Sequence, residues 1–506
     1  MSQDVEHIII SNISIEPMIL DLIPIRLVEK YEVVPIRKED RTLVVATNTP
    51  ENLELKDRLQ QETNLLIKFV YAESEDIRRA IINLFGKLDD IFARITLPKS
   101  TNQIKKKTFI REIDITMLLS LKEVPTIPQL LDIILYYGVT FNVSDIHIEP
   151  TRDQLQIRIR LDGVLHTFRV FPSSFHKPLV TVIKIQSNMD ITESRLPQDG
   201  HFEIRLKDKV VGVRVASVNT IYGEKITIRL LDREVLRVSL TELGFSKTTL
   251  YELNKLINLS TGMILVTGPT GSGKTTSLYA LLEELKDSSK NILSVEEPVE
   301  YRLDHVNQVE TNPGINLDFE KICRAFLRQD PDVVLIGEIR DEKTVKVAVQ
   351  NALVGALLFA TLHSNDAIRT LDRLENLGLP PYLIASTLSA VLAQRLIRRN
   401  CPYCQVKYKP SPILLERLKL SQDAEYVKGS GCSNCLFTGF KGRICISELL
   451  ILDSVKIQKA IEQKLPYTEF KDIAIKSGFT TIQEDAALKI KEGISTVEEV
   501  SRVITL

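Results

Sequence analysis

The sequence predicts a multidomain α/β protein. With 506 residues the chain is longer than one hydrophobic core usually supports, so we expect about three to five folded units. Between residues 241 and 397, apolar strand-like runs alternate with helical patterns, as in a parallel sheet covered by helices. A glycine-rich turn joins one of these strands to the next helix, which places a binding loop at the edge of the expected sheet.

This glycine-rich turn spans residues 268–276 and has the pattern G-x-x-x-x-G-K-[ST] of a phosphate-binding P-loop. It lies between the apolar run Met263–Val266 and a helical run that starts at Ser277, which is the context the motif requires. The backbone N–H groups of such a loop, with the helix N-terminus, bind the phosphates of ATP. We expect Lys274 to reach the β- and γ-phosphates and Thr275 to bind Mg²⁺. The full expected nucleotide-binding set is Gly268, Pro269, Thr270, Gly271, Ser272, Gly273, Lys274, Thr275 and Thr276.

Further strand ends carry the side chains that nucleotide hydrolysis needs. Ligands of a RecA-like parallel sheet bind at the carboxyl ends of its strands. Glu338 follows one expected strand, where a carboxylate can hold Mg²⁺ as a Walker B acid does. A carboxylate cluster at 296–300 follows another strand, and hydrolysis needs a second carboxylate to orient the attacking water. His363 also follows a strand and could sense the γ-phosphate, although a lone histidine is more often structural. The expected strands are 263–267, 291–295, 333–336 and 357–361.

Four of the six cysteines form two C-x-x-C pairs, Cys401 with Cys404 and Cys432 with Cys435. In a reducing compartment this pattern points to metal rather than to disulfides. Four thiolates make a closed tetrahedral site that suits Zn²⁺ and leaves no open position for catalysis. We therefore expect structural zinc, and the alternative is a set of reduced free thiols.

The remaining boundaries follow from composition and periodicity. Residues 1–95 have the pattern of a small α/β module, and residues 96–127 that of a polar linker. The nucleotide-binding core is expected at 241–397, the cysteine subdomain at 398–445 and a helical region at 446–506.

Residues 128–240 predict an α+β domain with a basic sheet face. Arginine or lysine alternates with apolar residues along several of its expected strands, so the charges share one side of the sheet. Two interpretations remain open at this point. The charges either face solvent or reach an ATP phosphate across a domain or subunit boundary.

Charge and hydropathy disfavour some classes of protein. Lysine and arginine number 65 against 66 acidic residues, a net charge of −1, which gives no overall attraction to nucleic acid or anionic lipid. A nucleic-acid translocase is therefore less favoured, and we expect no nucleic-acid partner. There is no N-terminal signal pattern and no apolar run of about 18 residues. We expect a cytoplasmic protein that contacts membranes only through partners.

The ordered set of motifs resembles one family, the ATPases of type II secretion and type IV pilus assembly. The likeness runs from about residue 25 to the end of the chain. Its most specific parts are the P-loop, Arg195–Gly200, Glu296–Tyr301, Leu327–Asp332, Gly337–Asp341, Thr361–His363, Ala393–Leu396 and the four cysteines.

The resemblance implies a role for each matching residue. Glu300 would be the catalytic glutamate that positions water, Glu338 the Walker B acid and His363 the histidine of the His box. Arg214 and Arg229 would be the two arginines that the preceding domain brings to the nucleotide phosphates. The family fold combines an AAA+/RecA-like P-loop core with a preceding PAS-like α+β domain, so we expect both here.

The resemblance also implies partners. Such ATPases form homo-hexamers that act on an inner-membrane platform protein, and the N-terminal module would dock that platform or the cytoplasmic domain of a secretion adaptor. We expect a motor for pseudopilin or pilin fibre assembly and protein export in type II secretion. A type IV pilus or DNA-uptake motor is the alternative with the same chemistry. A nucleotide-binding scaffold without turnover is less favoured because both expected catalytic carboxylates are present.

The sequence departs from the family pattern at four places. Glu297 stands where aspartate is usual, and His201 stands where arginine is common. Val354–Ala356 replaces the usual Thr-Gly-His, which would remove a second histidine near the site. Arg26–Val28 lacks the glycine of the Arg-Leu-Gly signature with which some relatives bind cyclic di-GMP, so we do not expect that ligand. No departure touches the P-loop lysine or the expected catalytic carboxylates, so activity is expected.

Overall fold

The computed structural model describes most of the chain, and it divides into two compact units. The first unit comprises Met1–Arg233 with Cys401–Cys404 and Gly429–Gly439; the second comprises Glu234–Asn400, Gln405–Lys428 and Phe440–Leu506. The residues described are 6–10, 13, 15, 17–20, 22–24, 27–28, 31–63, 65–84, 110–113, 126–206, 209–231, 238–286 and 289–504.

The N-terminal module of the first unit is a three-stranded sheet with helices. Strands β1 (Val33–Glu39) and β2 (Thr42–Thr47) form an antiparallel hairpin, and β3 (Leu66–Tyr71) pairs in parallel with β2. All but one of the β2 residues are buried, so this strand is the centre of the module's core. Its helices are α1 (Pro17–Leu20), α2 (Leu53–Thr63) and α3 (Ser74–Leu84).

Residues 126–231 form the second domain of the first unit. Its sheet has seven strands in the order β4-β8-β9-β10-β5-β6-β7, and one core cluster joins the sheet to helices α4 (Ile127–Thr140) and α5 (His176–Gln186). Alternate residues of β6 are buried, which leaves the other face of the sheet polar. The strands are β4 (Ile110–Glu112), β5 (Asp145–Pro150), β6 (Gln154–Leu161), β7 (Val164–Pro172), β8 (Gln198–Leu206), β9 (Lys209–Thr220) and β10 (Gly223–Leu231).

The structure corrects the prediction that residues 96–127 are a linker, because strand β4 lies within them. This strand pairs in parallel with β8. The sequence missed it because a strand of three residues is too short to show a periodicity. Apart from residues 110–113 and 126–127, the predicted linker lies outside the described residues.

The second unit contains the predicted RecA-like core. Its sheet has the order β13-β12-β14-β15-β11-β16-β19 and is parallel except for the antiparallel pair β16 and β19. Every residue of β14 and β15 is buried, as expected for strands covered on both faces. The strands of this sheet are β11 (Gly262–Thr267), β12 (Ile292–Glu296), β13 (Asn307–Glu310), β14 (Val333–Ile336), β15 (Leu357–Leu362), β16 (Leu388–Asn400) and β19 (Phe440–Ile451). Strands β17 (Gln405–Tyr408) and β18 (Tyr426–Gly429) form a separate two-stranded sheet. The helices before the C-terminal region are α6 (Lys247–Leu256), α7 (Lys274–Glu284), α8 (Phe319–Phe326), α9 (Glu342–Val354), α10 (Arg369–Asn376), α11 (Pro381–Thr387) and α12 (Pro412–Arg417).

The C-terminal region is helical only from Val455 onward, so the prediction of a helical region from residue 446 is wrong for residues 446–451. These residues complete the edge strand β19. The prediction failed because this strand carries polar side chains that are buried: the Glu448 carboxylate accepts hydrogen bonds from the N–H groups of Ala367 at 2.7 Å and Ile482 at 3.0 Å. The final helices are α13 (Val455–Glu462), α14 (Tyr467–Lys476), α15 (Ile482–Lys491) and α16 (Val497–Val503).

Helix α15 contains a buried ion pair whose carboxylate also contacts strand β19. The Lys489 ammonium lies 2.8 Å from Oδ1 of Asp485, and both side chains are only 5% exposed. Oδ2 of the same carboxylate accepts a hydrogen bond from the Ser447 N–H at 2.8 Å. Across the described ranges, no helix has both the length and the apolar composition to cross a bilayer.

Asp485→Ala is expected to destabilise the second unit, because it leaves the Lys489 ammonium buried without its carboxylate. Loss of one partner from a buried pair costs about 3–5 kcal/mol. Asp472→Ala, at an exposed position of α14, is the matched control and should change stability little. Calorimetric unfolding of the full chain measures both variants, and equal melting of the two would contradict the role of the pair.

Candidate active site

The P-loop joins strand β11 to helix α7, as the sequence predicts. Gly271 and Gly273 have φ angles of 77° and 88°, the left-handed region in which a side chain is strained. A Cβ on Gly268 would lie 2.5 Å from the Ser272 hydroxyl oxygen and 2.6 Å from the Gln394 carbonyl oxygen. Gly268 itself has a φ of 152°, so the loop favours glycine for conformation at all three positions and for space at Gly268 as well.

Lys274 is the first residue of α7 and points back over the loop. Its ammonium donates to the carbonyl oxygens of Gly268 at 3.0 Å and Pro269 at 3.1 Å. Burial lowers the pKa of Lys274, and the neighbouring Glu338 carboxylate opposes that shift. The cation is thus placed at the mouth of the loop, where phosphate oxygens could replace the two carbonyls. Thr275 follows it and is exposed.

The structure brings His363 and Glu338 together at the P-loop. The His363 Nε2 atom lies 3.0 Å from Oε1 of Glu338, and its Nδ1 atom lies 3.2 Å from the Gly268 carbonyl oxygen. A carbonyl oxygen can only accept a hydrogen bond, so Nδ1 must carry a proton for this contact to form. The histidine therefore links Glu338 to the P-loop instead of standing alone in the core.

Arg340 is a functional candidate that the sequence analysis missed. Its Nε donates to Oε2 of Glu338 at 2.9 Å, and a terminal guanidinium nitrogen lies 2.7 Å from Oε2 of Glu297. Both oxygens of Glu338 are thus engaged, one by Arg340 and the other by His363. The signal was available, since Arg340 lies inside the Gly337–Asp341 motif, but the sequence does not show which way the side chain turns.

The carboxylates after β12 have different surroundings. Glu296 is 3% exposed and accepts hydrogen bonds from the Tyr279 hydroxyl, from Ser294 at 2.6 Å and from Gln308 at 3.2 Å. Glu296 therefore anchors the strand end. Glu300 is exposed four residues later, so its carboxylate remains accessible at the same edge of the sheet.

Arg214 and Arg229 lie directly opposite each other on the neighbouring strands β9 and β10 of the first unit. Both are exposed, and His201 on β8 is aligned with Arg214 from the other side. The three side chains line a shallow depression of about 640 Å³ on this sheet face. Arg229 also donates to Asp145 at 2.9 Å. This exposed cluster is the basic face that the sequence predicts.

The structure corrects the expectation that a histidine at position 356 would lie near the site. Ala356 is 4% exposed and precedes β15, whereas His363 follows the carboxyl end of the same strand. At a rise of about 3.3 Å per residue, the two ends are about 20 Å apart. A histidine at position 356 would therefore not lie near His363, and its absence does not alter this site.

The four cysteines lie together with the spacing of a tetrahedral metal site. Their sulfur atoms are all within 4.8 Å of one another, and the separations for Cys401 to Cys432 and for Cys404 to Cys435 are 3.8 Å and 3.9 Å. Zinc–sulfur bonds of about 2.3 Å give tetrahedral edges of about 3.8 Å, whereas a disulfide needs about 2.05 Å. Three backbone N–H groups donate to these sulfurs, which favours thiolates. The donor set fits zinc.

The sequence predicted one cysteine subdomain at 398–445, but the two cysteine segments do not form such a subdomain. They pack with the first unit, while the residues between and around them belong to the second. Leu436 packs against the core of the 126–231 domain, and the turn Ser433–Cys435 contacts helix α3 of the N-terminal module. The physical reason is that apolar Leu436 follows the turn Ser433–Cys435 and packs against that core.

Comparison with known proteins agrees with this geometry. A family model described as "Type II/IV secretion system protein" matches residues 121–502, and one described as "MshEN domain" matches residues 3–90. The chain belongs to the Type II/IV secretion system protein family. It is 36% identical over 488 residues to the type IV pilus assembly ATPase PilB of Thermus thermophilus, covering 95% of this chain and 54% of that protein. It is 35% identical over 494 residues to type II secretion system protein E of Dickeya dadantii, covering 96% and 98%.

Solved structures show the same fold. The DotB ATPase of Legionella pneumophila superimposes with a TM-score of 0.57 at 19% identity, over 78% of this chain and 99% of that one. The pilus retraction motor PilT with bound ADP superimposes with a TM-score of 0.50 at 24% identity, over 73% of this chain and 95% of that one. At these identities the likeness shows the fold alone. The predicted family, RecA-like fold and ATPase activity are confirmed.

The expectation about cyclic di-GMP depends on Arg26, and this residue lies outside the described residues.

Cys435→Ser is expected to lose bound zinc, because the site then has three thiolates and weaker affinity. The full chain should carry about one zinc ion, and Cys323→Ser, at a buried cysteine outside the cluster, should keep it. Elemental analysis of the purified proteins measures this. Hydrogen exchange provides a second readout: α3 should exchange faster in Cys435→Ser. A wild-type chain that takes up no zinc would contradict the assignment.

Proposed function

We propose that this chain is the motor ATPase of a type II secretion machine, acting as a homo-hexamer on an inner-membrane platform protein. One cluster of contacts at the strand ends carries the proposal. Lys274 and His363 both contact the Gly268 carbonyl oxygen, and His363 also contacts Glu338. In this proposal the arrangement would bring a phosphate-binding loop, a metal-binding carboxylate and a γ-phosphate contact into one cluster. Family membership over residues 121–502 supports the same function.

Each side chain has a task in this proposal. Lys274 turns from the loop carbonyls to the β- and γ-phosphate oxygens of ATP. Thr275 and Glu338 would hold Mg²⁺, which supplies charge neutralisation between those phosphates. Glu300 orients the attacking water and accepts its proton, which its exposed position allows. His363 donates to the γ-phosphate, and its present contact with Glu338 keeps the ring at the correct side of the loop.

Arg214 and Arg229 provide the remaining positive charge. Negative charge spreads over the transferred phosphoryl oxygens in the transition state, and an arginine that reaches them stabilises it. Both guanidinium groups are exposed on one sheet face, so a nucleotide could approach them. We propose that this face binds the phosphates held by a P-loop in the assembled ring. Hydrolysis would then release that contact and move the domain, which is the mechanical step.

Two machines remain as candidates for this motor. Type IV pilus assembly is favoured by the 36% identity to PilB of Thermus thermophilus and to PilB of Myxococcus xanthus. We favour type II secretion because the alignment spans 98% of the Dickeya protein, against 54% and 87% of these two pilus proteins. The proposed location is the cytoplasmic side of the inner membrane, reached through the platform protein or an adaptor.

Glu300→Gln is expected to abolish steady-state ATP hydrolysis while nucleotide binding persists, because an amide cannot accept the proton of the attacking water. Lys274→Ala is expected to lose binding as well, since the phosphates lose their main counter-charge. Phosphate release and titration with fluorescent ADP separate the two effects. Turnover by Glu300→Gln at the wild-type rate would show that another group is the base.

Arg229→Ala is expected to lower kcat by about 10³-fold with little change in ADP affinity, because its charge acts on the transition state. Arg152→Ala, at an exposed turn of the same domain, is the matched control and should retain activity. Equal activity of the two variants would exclude the proposed role, and a loss confined to ADP binding would indicate ground-state anchoring instead.

The choice between machines can be tested by cross-linking the tagged full chain on membranes of its source organism. Recovery of a secretion adaptor or a pseudopilin platform protein would support type II secretion. Recovery of pilus components alone would support the second candidate and leave the ATPase mechanism unchanged.

A further inference from the structure

Gln394 and Arg395 lie beside the P-loop, yet the proposed mechanism does not use them. They are successive residues of β16, which pairs with the P-loop strand β11 so that Ala393 stands opposite Thr267. Gln394 is 1% exposed, and Arg395 is half-buried. A buried amide and a half-buried guanidinium at this point need a reason, because a core position beside a strand is normally apolar.

The side chain of Gln394 holds one peptide group of the P-loop. Its Nε2 donates to the Ser272 carbonyl oxygen at 2.8 Å. In a trans peptide the carbonyl and the following N–H point in opposite directions. A Ser272 carbonyl turned toward Gln394 therefore directs the Gly273 N–H away from it, toward the inside of the loop. Gln394 thus fixes the direction of an N–H group that a P-loop uses to bind phosphate.

The glycines of the loop confirm how closely Gln394 packs. A Cβ on Gly273 would lie 3.2 Å from Nε2 of Gln394, and a Cβ on Gly268 would lie 2.6 Å from its backbone oxygen. Both ends of the loop therefore rest on this one residue. Leu396 of the same strand also packs against the Gly273 position, at 3.5 Å, but its side chain offers no hydrogen-bond donor to the loop.

The side chain of Arg395 holds the neighbouring loop. One terminal guanidinium nitrogen donates to the Asn365 carbonyl oxygen at 2.6 Å, and the other donates to the Gln394 carbonyl oxygen at 2.9 Å. Asn365 lies two residues after His363. The guanidinium thus connects the loop of His363 to the strand that supports the P-loop, with two bonds in a fixed planar geometry.

We propose that Gln394 and Arg395 are positioning residues for ATP hydrolysis and that they act on different steps. Gln394 sets the Ser272–Gly273 peptide for phosphate binding. Arg395 sets the loop that presents His363 to the γ-phosphate. The two residues follow each other in one strand, so the phosphate-binding loop and the γ-phosphate contact keep a fixed separation. This inference rests on the ATPase activity of the chain and does not depend on which machine it serves.

The proposal predicts a separation of kinetic effects between the two neighbours. Gln394→Met has a similar volume but no donor, so the Ser272 peptide can rotate, and the Kd for ADP should rise about tenfold. Arg395→Met should lower kcat about tenfold with the Kd for ADP within about twofold of wild type, because the P-loop is intact. Arg395→Lys, which keeps the charge but bonds fewer carbonyls, should recover part of the kcat.

The experiment uses the full chain, with steady-state hydrolysis, titration with fluorescent ADP and thermal unfolding of every variant. Arg399→Met is the matched control, since this arginine is exposed on the same strand, and it should behave as wild type. Gln394→Glu is a second variant at the first position, because an ionised carboxylate has the same shape and cannot donate to Ser272. It should also raise the Kd for ADP.

A Kd effect confined to position 394 and a kcat effect confined to position 395, in variants that melt with wild type, would support the proposal. If the variants at one position lose kcat, ADP affinity and melting temperature together, that residue has only a general structural role. Normal ADP affinity in both Gln394 variants, or normal kcat in Arg395→Met, would overturn the corresponding half.

Discussion

The carbonyl oxygen of Gly268 is the point on which the nucleotide site depends. It accepts from the Lys274 ammonium at 3.0 Å and faces Nδ1 of His363 at 3.2 Å, so two strand ends and the first turn of a helix meet at one atom. A phosphate that binds Lys274 must take the place of this contact. His363 contacts the same oxygen, so the Lys274 ammonium and the histidine ring both lie at this one point of the loop.

The packing of the first unit depends on a different feature, the cysteine cluster. A structural metal holds a turn that has little core of its own, and here that turn carries Leu436 into the core of the 126–231 domain. The same turn contacts helix α3 of the N-terminal module. The cysteine segments come from the C-terminal half of the chain, yet they pack with its N-terminal part. Zinc would therefore stabilise contacts that no local sequence pattern joins.

The sequence predicted the parts of the site that depend on local patterns. The P-loop is recognisable because its glycines and Lys274 are close along the chain, and His363 was placed by the rule that ligands lie at strand ends. Gln394 could not be assigned, because its role arises only when β16 lies beside β11, more than a hundred residues earlier in sequence. Strand β19 was missed for a related reason, since the burial of Glu448 reverses the usual meaning of a polar residue.

Glu297, where the family usually has aspartate, can be judged from its contacts. Its carboxylate reaches a terminal nitrogen of Arg340 at 2.7 Å, and the Nε of the same guanidinium holds Glu338 at 2.9 Å. Position 297 is therefore linked to Glu338 through one rigid planar guanidinium group. Two carboxylates on one guanidinium compete for its charge. If Glu338 held a metal ion, as proposed, the contact with Glu297 would still anchor Arg340.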